Sequence, residues 1–185
     1  MQTITALFDD YDDAADAVGE LESMGVPATD LSIIANNADG RHSSAAEDAA
    51  SGAGIGAVVG GAGGLATGLG AIAIPGVGPV VAAGWLAATA AGAAAGAVVG
   101  GAAGGIIGSL TGDGVSEDDA HVYAEGVRRG GTLVTARVEE DLAPQAQAIL
   151  HDSRSVDIGE RRNDYEAGGW TGFDPRAGDY RQQSK

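Results

Sequence analysis

A run without a single charge, residues 49–112, constrains everything around it, because within it glycine returns at every fourth position along two successive stretches. The first series is Gly52, Gly56, Gly60, Gly64 and Gly68; the second is Gly84, Gly92, Gly96, Gly100, Gly104, Gly108 and Gly112, with Ala88 in the one missing place. Between them Pro75, Gly76, Gly78 and Pro79 flank Val77 and read as a turn. Four residues advance an α-helix by about 400°, so the glycines form a stripe that drifts by about 40° at each step. A glycine inside a helix costs about 1 kcal/mol relative to alanine. Helical arms of this kind therefore have to be held by close backbone approach, the role that small residues at four-residue spacing play between packed helices. The expectation is a glycine-zipper hairpin over residues 43–112, its antiparallel arms running from Ser43 to Ile74 and from Val80 to Thr111. One straight partner cannot follow a drifting stripe, so a homo-oligomer is expected.

A helix needs about 20 apolar residues to cross the hydrocarbon of a bilayer, and each arm supplies that length without a charge. The first reading is thus a two-span membrane hairpin in contact with lipid at the inner (cytoplasmic) membrane, with both flanking halves in the cytoplasm. The second is a soluble oligomeric ligand-sensing or structural module of cytoplasmic location, with the hairpin packed inside the assembly.

The flanks repeat one another. Residues 1–40 form a β-α-β half: Ile4, Ala6 and Phe8 alternate with Thr5 and Leu7 as in a strand, Asp9 and Asp10 open a helix, and Tyr11, Ala14, Ala15, Val18, Leu21 and Met24 give it one apolar stripe. Gly25 and Pro27 end that helix, and Leu31 to Ala35 is the next strand. Residues 113–131 form a connecting amphipathic helix, opened by a capping box at Ser116 to Asp119 and carrying Ala120, Tyr123, Ala124 and Val127 on one face. Residues 132–158 repeat the pattern, with a strand at Thr132 to Val138, an acidic start at Glu139, Glu140 and Asp141, a helix through Leu142, Ala146, Ile149 and Leu150, and a short last strand at Ser155 to Ile158. Two β-α-β halves in series are the signature of a ferredoxin-like sandwich. The fold class is therefore α+β, a ferredoxin-like sandwich split by an inserted Gly/Ala-rich antiparallel α-helical hairpin. Residues 159–185 show no period and read as a flexible tail.

The chemistry available is narrow. A net charge of −16 repels phosphate backbones and argues against nucleic acid. Lys185 is the only lysine and there is no cysteine, which removes a P-loop or Schiff-base lysine, a thiolate nucleophile and a disulfide. The opening residues have neither a basic start nor a long apolar stretch, so no secretory signal is expected. For all its glycines, the run holds no dinucleotide or Walker motif. No serine sits in a nucleophile elbow. Asp9, Asp10, Asp12 and Asp13 lack the glycine and distal glutamate of a calcium loop and read as a helix cap. His42, His121 and His151 are too far apart to pair as ligands. Arg128 and Arg129 suit the last turn of a helix, or lipid headgroups beside it. Trp170 and Phe173 suit either a loose tail or a partner. No catalytic, cofactor-binding or metal-binding residue is expected, and no small-molecule ligand is indicated.

Several segments together resemble the bacterial general stress proteins of the YflT-like, heat-induced kind: Thr3 to Met24, Gly25-Val26 with Asp30 to Ile34, Ala73 to Val80, and Tyr123 to Gly131 leading into Thr132 to Thr135. The resemblance covers residues 3 to 158. It implies a small non-enzymatic stress-response protein with no catalytic residues to carry over.

Overall fold

The computed structural model describes residues 1–37, 70–74, 77–86, 89, 105–152, 154–177 and 180. They form an α+β domain in which a five-stranded antiparallel sheet lies between two layers of helices. Strand β1, Gln2–Phe8, leads into helix α1, Tyr11–Ser23, where the Asp10 side chain accepts from the Asp12 amide at 2.9 Å. Gly25, at φ +104°, turns the chain out of α1 while the Val26 amide donates to Leu21 O at 3.1 Å. That conformation is open to glycine and strained for other residues. Strand β2, Leu31–Asn36, follows.

The sheet order is β1-β5-β2-β4-β3, with β3 at Gly70–Ile74, β4 at Gly78–Gly84 and β5 at Thr132–Val138. Strand β5 is antiparallel to both β1 and β2. The two strands joined by α1 are therefore parallel to each other, with β5 slotted between them. Period-two alternation then sorts the side chains. Ile4, Ala6, Phe8, Leu31, Ile33, Val134 and Ala136 pack on one face beneath α1 and helix α4, Ala143–Asp152. Leu7, Ile34, Val80, Ala82 and Leu133 pack on the other, beneath helix α2, Ile106–Gly112, and helix α3, Glu117–Arg128. The Ser116 hydroxyl caps α3, accepting from the Asp119 amide at 3.1 Å and donating to the Asp119 carboxylate at 2.7 Å.

Four expectations change. The helical arms are not helical where they approach the turn: residues 70–74 and 78–84 are strands β3 and β4, paired in register from Gly70↔Ala82 to Ile74↔Gly78. The reason lies in the period itself. Positions i and i+4 share a face of a helix only approximately, but they share a face of a strand by construction. Glycine spacing therefore could not separate the two, and the β-branched residues Ile72, Ile74, Val80 and Val81 favour the strand. Gly84 closes β4 and Gly78, at φ +99°, opens it with Pro79 beside it; neither sits in a helix.

Second, among the described residues no helix is long and apolar enough to cross a membrane. This finding overturns the two-span hairpin and the inner-membrane location, since part of each arm is committed to sheet hydrogen bonding. Third, Ser155 to Asp157 form no strand, and helix α5 begins at Ile158. Fourth, the segment expected as a flexible tail carries α5, Ile158–Ala167, and buries Tyr165 and Phe173. Its signal was a cap and not a stripe: the Asp157 carboxylate accepts from the Glu160 amide at 2.9 Å, and Tyr165 is the one buried residue of the helix.

Of the helix-packing series, Gly52, Gly56, Gly60, Gly64, Gly68, Gly92, Gly96, Gly100 and Gly104 lie outside the described residues, as do Pro75 and Gly76 of the turn. Gly108 and Gly112 fall on α2 and face outward, and a Cβ at either would meet nothing within 4 Å among the described residues. Gly108→Ala is accordingly expected to raise stability by up to about 1 kcal/mol through helix propensity. Urea unfolding followed by circular dichroism measures it, and a clear loss would mean that a second body packs on that face.

Candidate functional site

The outer edge of β1 is where the sheet stops short. In an antiparallel pair, successive residues turn their N–H and C=O groups alternately toward the partner strand and away from it. The Val156 amide donates to Leu7 O at 2.7 Å from the side opposite β5. Leu7, Thr5 and Thr3 therefore direct their backbone groups outward. Among the described residues Val156 makes the one backbone bond to that edge, because the chain leaves it at Asp157 to start α5.

The gap left behind is a cleft of about 370 Å³, within the size range of ligand pockets. Ile4, Thr5 and Ala6 form its floor; Gln147, Leu150 and His151 of α4 form one wall, and Ser155 to Ile158 form the other. Tyr123 of α3 closes the back, its hydroxyl donating to Thr5 O at 3.2 Å. The Thr5 hydroxyl is buried and has no partner among the described residues, and the same holds for its cross-strand neighbour Thr135. The cleft thus combines apolar side chains with an outward N–H and an amide side chain, with the unpaired Thr5 hydroxyl buried beneath.

Burial, and then the charge of Asp119, pushes the Tyr123 phenol up to about 12. The group stays protonated near neutrality and keeps donating to Thr5. An unfolded chain ionises the same group near 10, so the folded domain holds the proton more tightly. Stability is complete below pH 10 and is lost as the pH rises from 10 to about 12. At about 1.4 kcal/mol for each tenfold difference in proton affinity, the loss reaches roughly 2 to 3 kcal/mol. Urea unfolding at pH 9 and pH 11.5 measures it. Tyr123→Phe should be the less pH-sensitive protein, with a remainder from Tyr11 and Tyr165, which burial raises in the same direction.

The sequence stretch from Tyr123 to Gly131 builds a second polar feature nearby. Glu125 is fully buried and both its oxygens are used: Oε1 accepts from Arg128 Nη2 and from Arg129 Nε at 2.6 Å each, and Oε2 accepts from Arg128 Nε at 2.7 Å. The Arg129 guanidinium lies between the rings of Tyr165 and Tyr180, 4.2 Å and 4.6 Å from their centroids. Asn36 ties the end of β2 to this turn, donating to Val127 O at 2.9 Å. The two arginines end α3 as the helix-end reading expects, and both turn their guanidinium groups back onto Glu125, Arg128 buried and Arg129 half-buried. The spacing of Glu125, Arg128 and Arg129 at i, i+3 and i+4 on one helix was the available signal.

The other charged candidates are structural. Asp9 pairs with Arg161 and Asp13 with Arg154, while Asp10 caps α1. Arg137, which borders an open hollow of about 940 Å³, pairs with Asp113 at 2.8 Å and lies 3.5 Å from the centroid of the Trp85 ring. His121 accepts from the Phe173 amide at 3.1 Å, seating the segment after α5; His151 lines the cleft, and His42 lies outside the described residues. Trp170 meets Tyr165 edge-on and Phe173 joins the core beneath α3. Among the described residues no three His, Asp or Glu side chains gather as a metal site. Comparison of the chain with protein-family models, curated proteins and solved structures gave no match.

Proposed function

We propose that this chain is a non-enzymatic general stress-response protein, a self-associating binding module that takes a ligand in the cleft beside β1. The framework we assign it is a ferredoxin-like sandwich. A strand slotted between two parallel strands joined by a helix, with α1 and α4 together on one face, supports that assignment. In this reading Val156 stands where a fourth strand would pair with β1, and β4 and β3 extend the sheet beyond β2.

The cleft carries the binding role. Two of its three ionisable groups hold structure: the Asp157 carboxylate caps α5, and the Tyr123 hydroxyl, which stays protonated, donates a hydrogen bond to Thr5 O, leaving His151 as the third. A site of this kind orients a ligand through fixed donors and excludes water with Ile4, Leu150 and Val156. The Tyr123 to Gly131 stretch, the end of α3 and the turn after it, carries much of the likeness to general stress proteins and is the buried brace behind the cleft.

The test is complementation of a deletion strain under heat or ethanol stress. Gln147 is an exposed cleft residue of α4, so Gln147→Trp should fill the space and leave the core intact. The strain lacking the protein is expected to survive stress less well, and Gln147→Trp is expected to restore survival poorly while keeping wild-type stability. Full restoration by that variant would remove the cleft from the function.

A further inference from the structure

The geometry points to an extended peptide as the ligand of the cleft, pairing with the outward backbone of Thr3 and Thr5 as an added strand. This inference rests on the reading of the cleft as a binding site. Three observations narrow the class. The floor is a strand edge, and its outward groups repeat every second residue, the spacing at which a polypeptide backbone presents its own donors and acceptors. The protein already uses this edge in that way once, through the Val156 amide on Leu7 O at 2.7 Å, and then leaves the next positions toward Thr3 without backbone pairing among the described residues. The walls are Leu150 and Val156 on either side, which suits an aliphatic side chain pointing off the added strand.

Charge sets the flanks of such a peptide. Asp157 stands at the mouth of the cleft, and the whole chain carries −16. An acidic segment is repelled, and a segment with aliphatic β-branched residues between basic ends is attracted. Thr5 O, held by the Tyr123 hydroxyl, fixes where pairing stops being exchangeable; the Thr5 N–H is the donor that the added strand takes up.

The experiment uses the full chain and a capped hexapeptide, KVTVVK, with the same hexapeptide N-methylated at its four central residues as the control. Saturable binding of KVTVVK should slow hydrogen exchange of the Thr5 amide at least tenfold. The N-methylated peptide should bind at least tenfold more weakly, and Gln147→Trp should abolish binding. Thr5→Pro removes the outward N–H and should weaken KVTVVK at least tenfold; if that variant does not fold, the pair of peptides decides. Equal binding of the two peptides, or unchanged Thr5 exchange at saturation, overturns the inference. A parallel screen with neutral non-peptide fragments separates it from the reading beneath it. Fragment shifts at Gln147 and His151 with no response to KVTVVK overturn the peptide class and leave the cleft as a site, whereas silence toward both overturns the two together.

Discussion

Glu125→Ala is expected to remove most of the stability of the domain, about 3 to 5 kcal/mol, in urea unfolding followed by circular dichroism. The carboxylate is fully buried and receives three short hydrogen bonds from two guanidinium groups. Arg128 is only 6% exposed, so its charge has nowhere to go when the carboxylate is cut away. Breaking a buried pair by removing one partner leaves an uncompensated charge, and that penalty, not the attraction lost, sets the magnitude. Whole domains are stable by about 5 to 15 kcal/mol, so a loss of this size approaches unfolding. The same argument predicts that removing both charges is gentler than removing one. Glu125→Leu combined with Arg128→Met should recover much of the loss, because Arg129 keeps the faces of Tyr165 and Tyr180 and reaches water more readily than Arg128. A single variant that loses less than about 1 kcal/mol would mean that water reaches the pair and that the brace is not buried in solution.

What could be read in the sequence follows from which signals are local. Helices α1 and α3 were legible because their caps, Asp10 and Ser116, sit next in sequence to the stripes they introduce. Strands β1 and β5 were legible from alternation and β2 from its place after the Gly25 and Pro27 break, and the repeated β-α-β pattern anticipated an α+β fold. The glycine run misled because a period of four fits a strand as well as a helix, and nothing local says that β2 needs a neighbour beyond it. Helix α5 was missed because Tyr165 is its one buried residue, which leaves no stripe to detect. The cleft was not legible at all. It exists because the chain abandons the β1 edge after a single bond from Val156, and a sequence shows the residues at that point without showing the departure. The buried ion network lay in plain view at Glu125, Arg128 and Arg129, but an arginine in a helix's last turn has an ordinary explanation that conceals an internal one.

Gly84→Ala is the companion experiment, and it is expected to cost about 3 kcal/mol or more. Two independent penalties meet at this residue. Its φ of +91° is a conformation that L side chains resist by about 1 to 2 kcal/mol. A Cβ built there would lie 2.2 Å from Leu31 O and 2.7 Å from the Cα of Ser32. Both contacts are backbone atoms of β2, so no rotamer change relieves them. The strand itself would have to shift, against the Ser32↔Gly84 pairing and the Ser32 hydroxyl donating to Ala83 O at 2.7 Å. Beyond the drop in urea midpoint, the amides of β4 should exchange faster than those of β1, because the disturbance enters at the β2–β4 seam. Gly84 and Gly108 belong to one series of four-residue steps, and the same substitution is expected to lower stability at the first and raise it at the second. Opposite signs would show that the spacing does not define one structural role: at Gly84 the missing side chain admits a neighbouring strand, and at Gly108 it admits nothing among the described residues. Equal and small effects at both sites would instead require the end of β4 to stand off β2, and the five-stranded sheet would lose its β4–β3 extension.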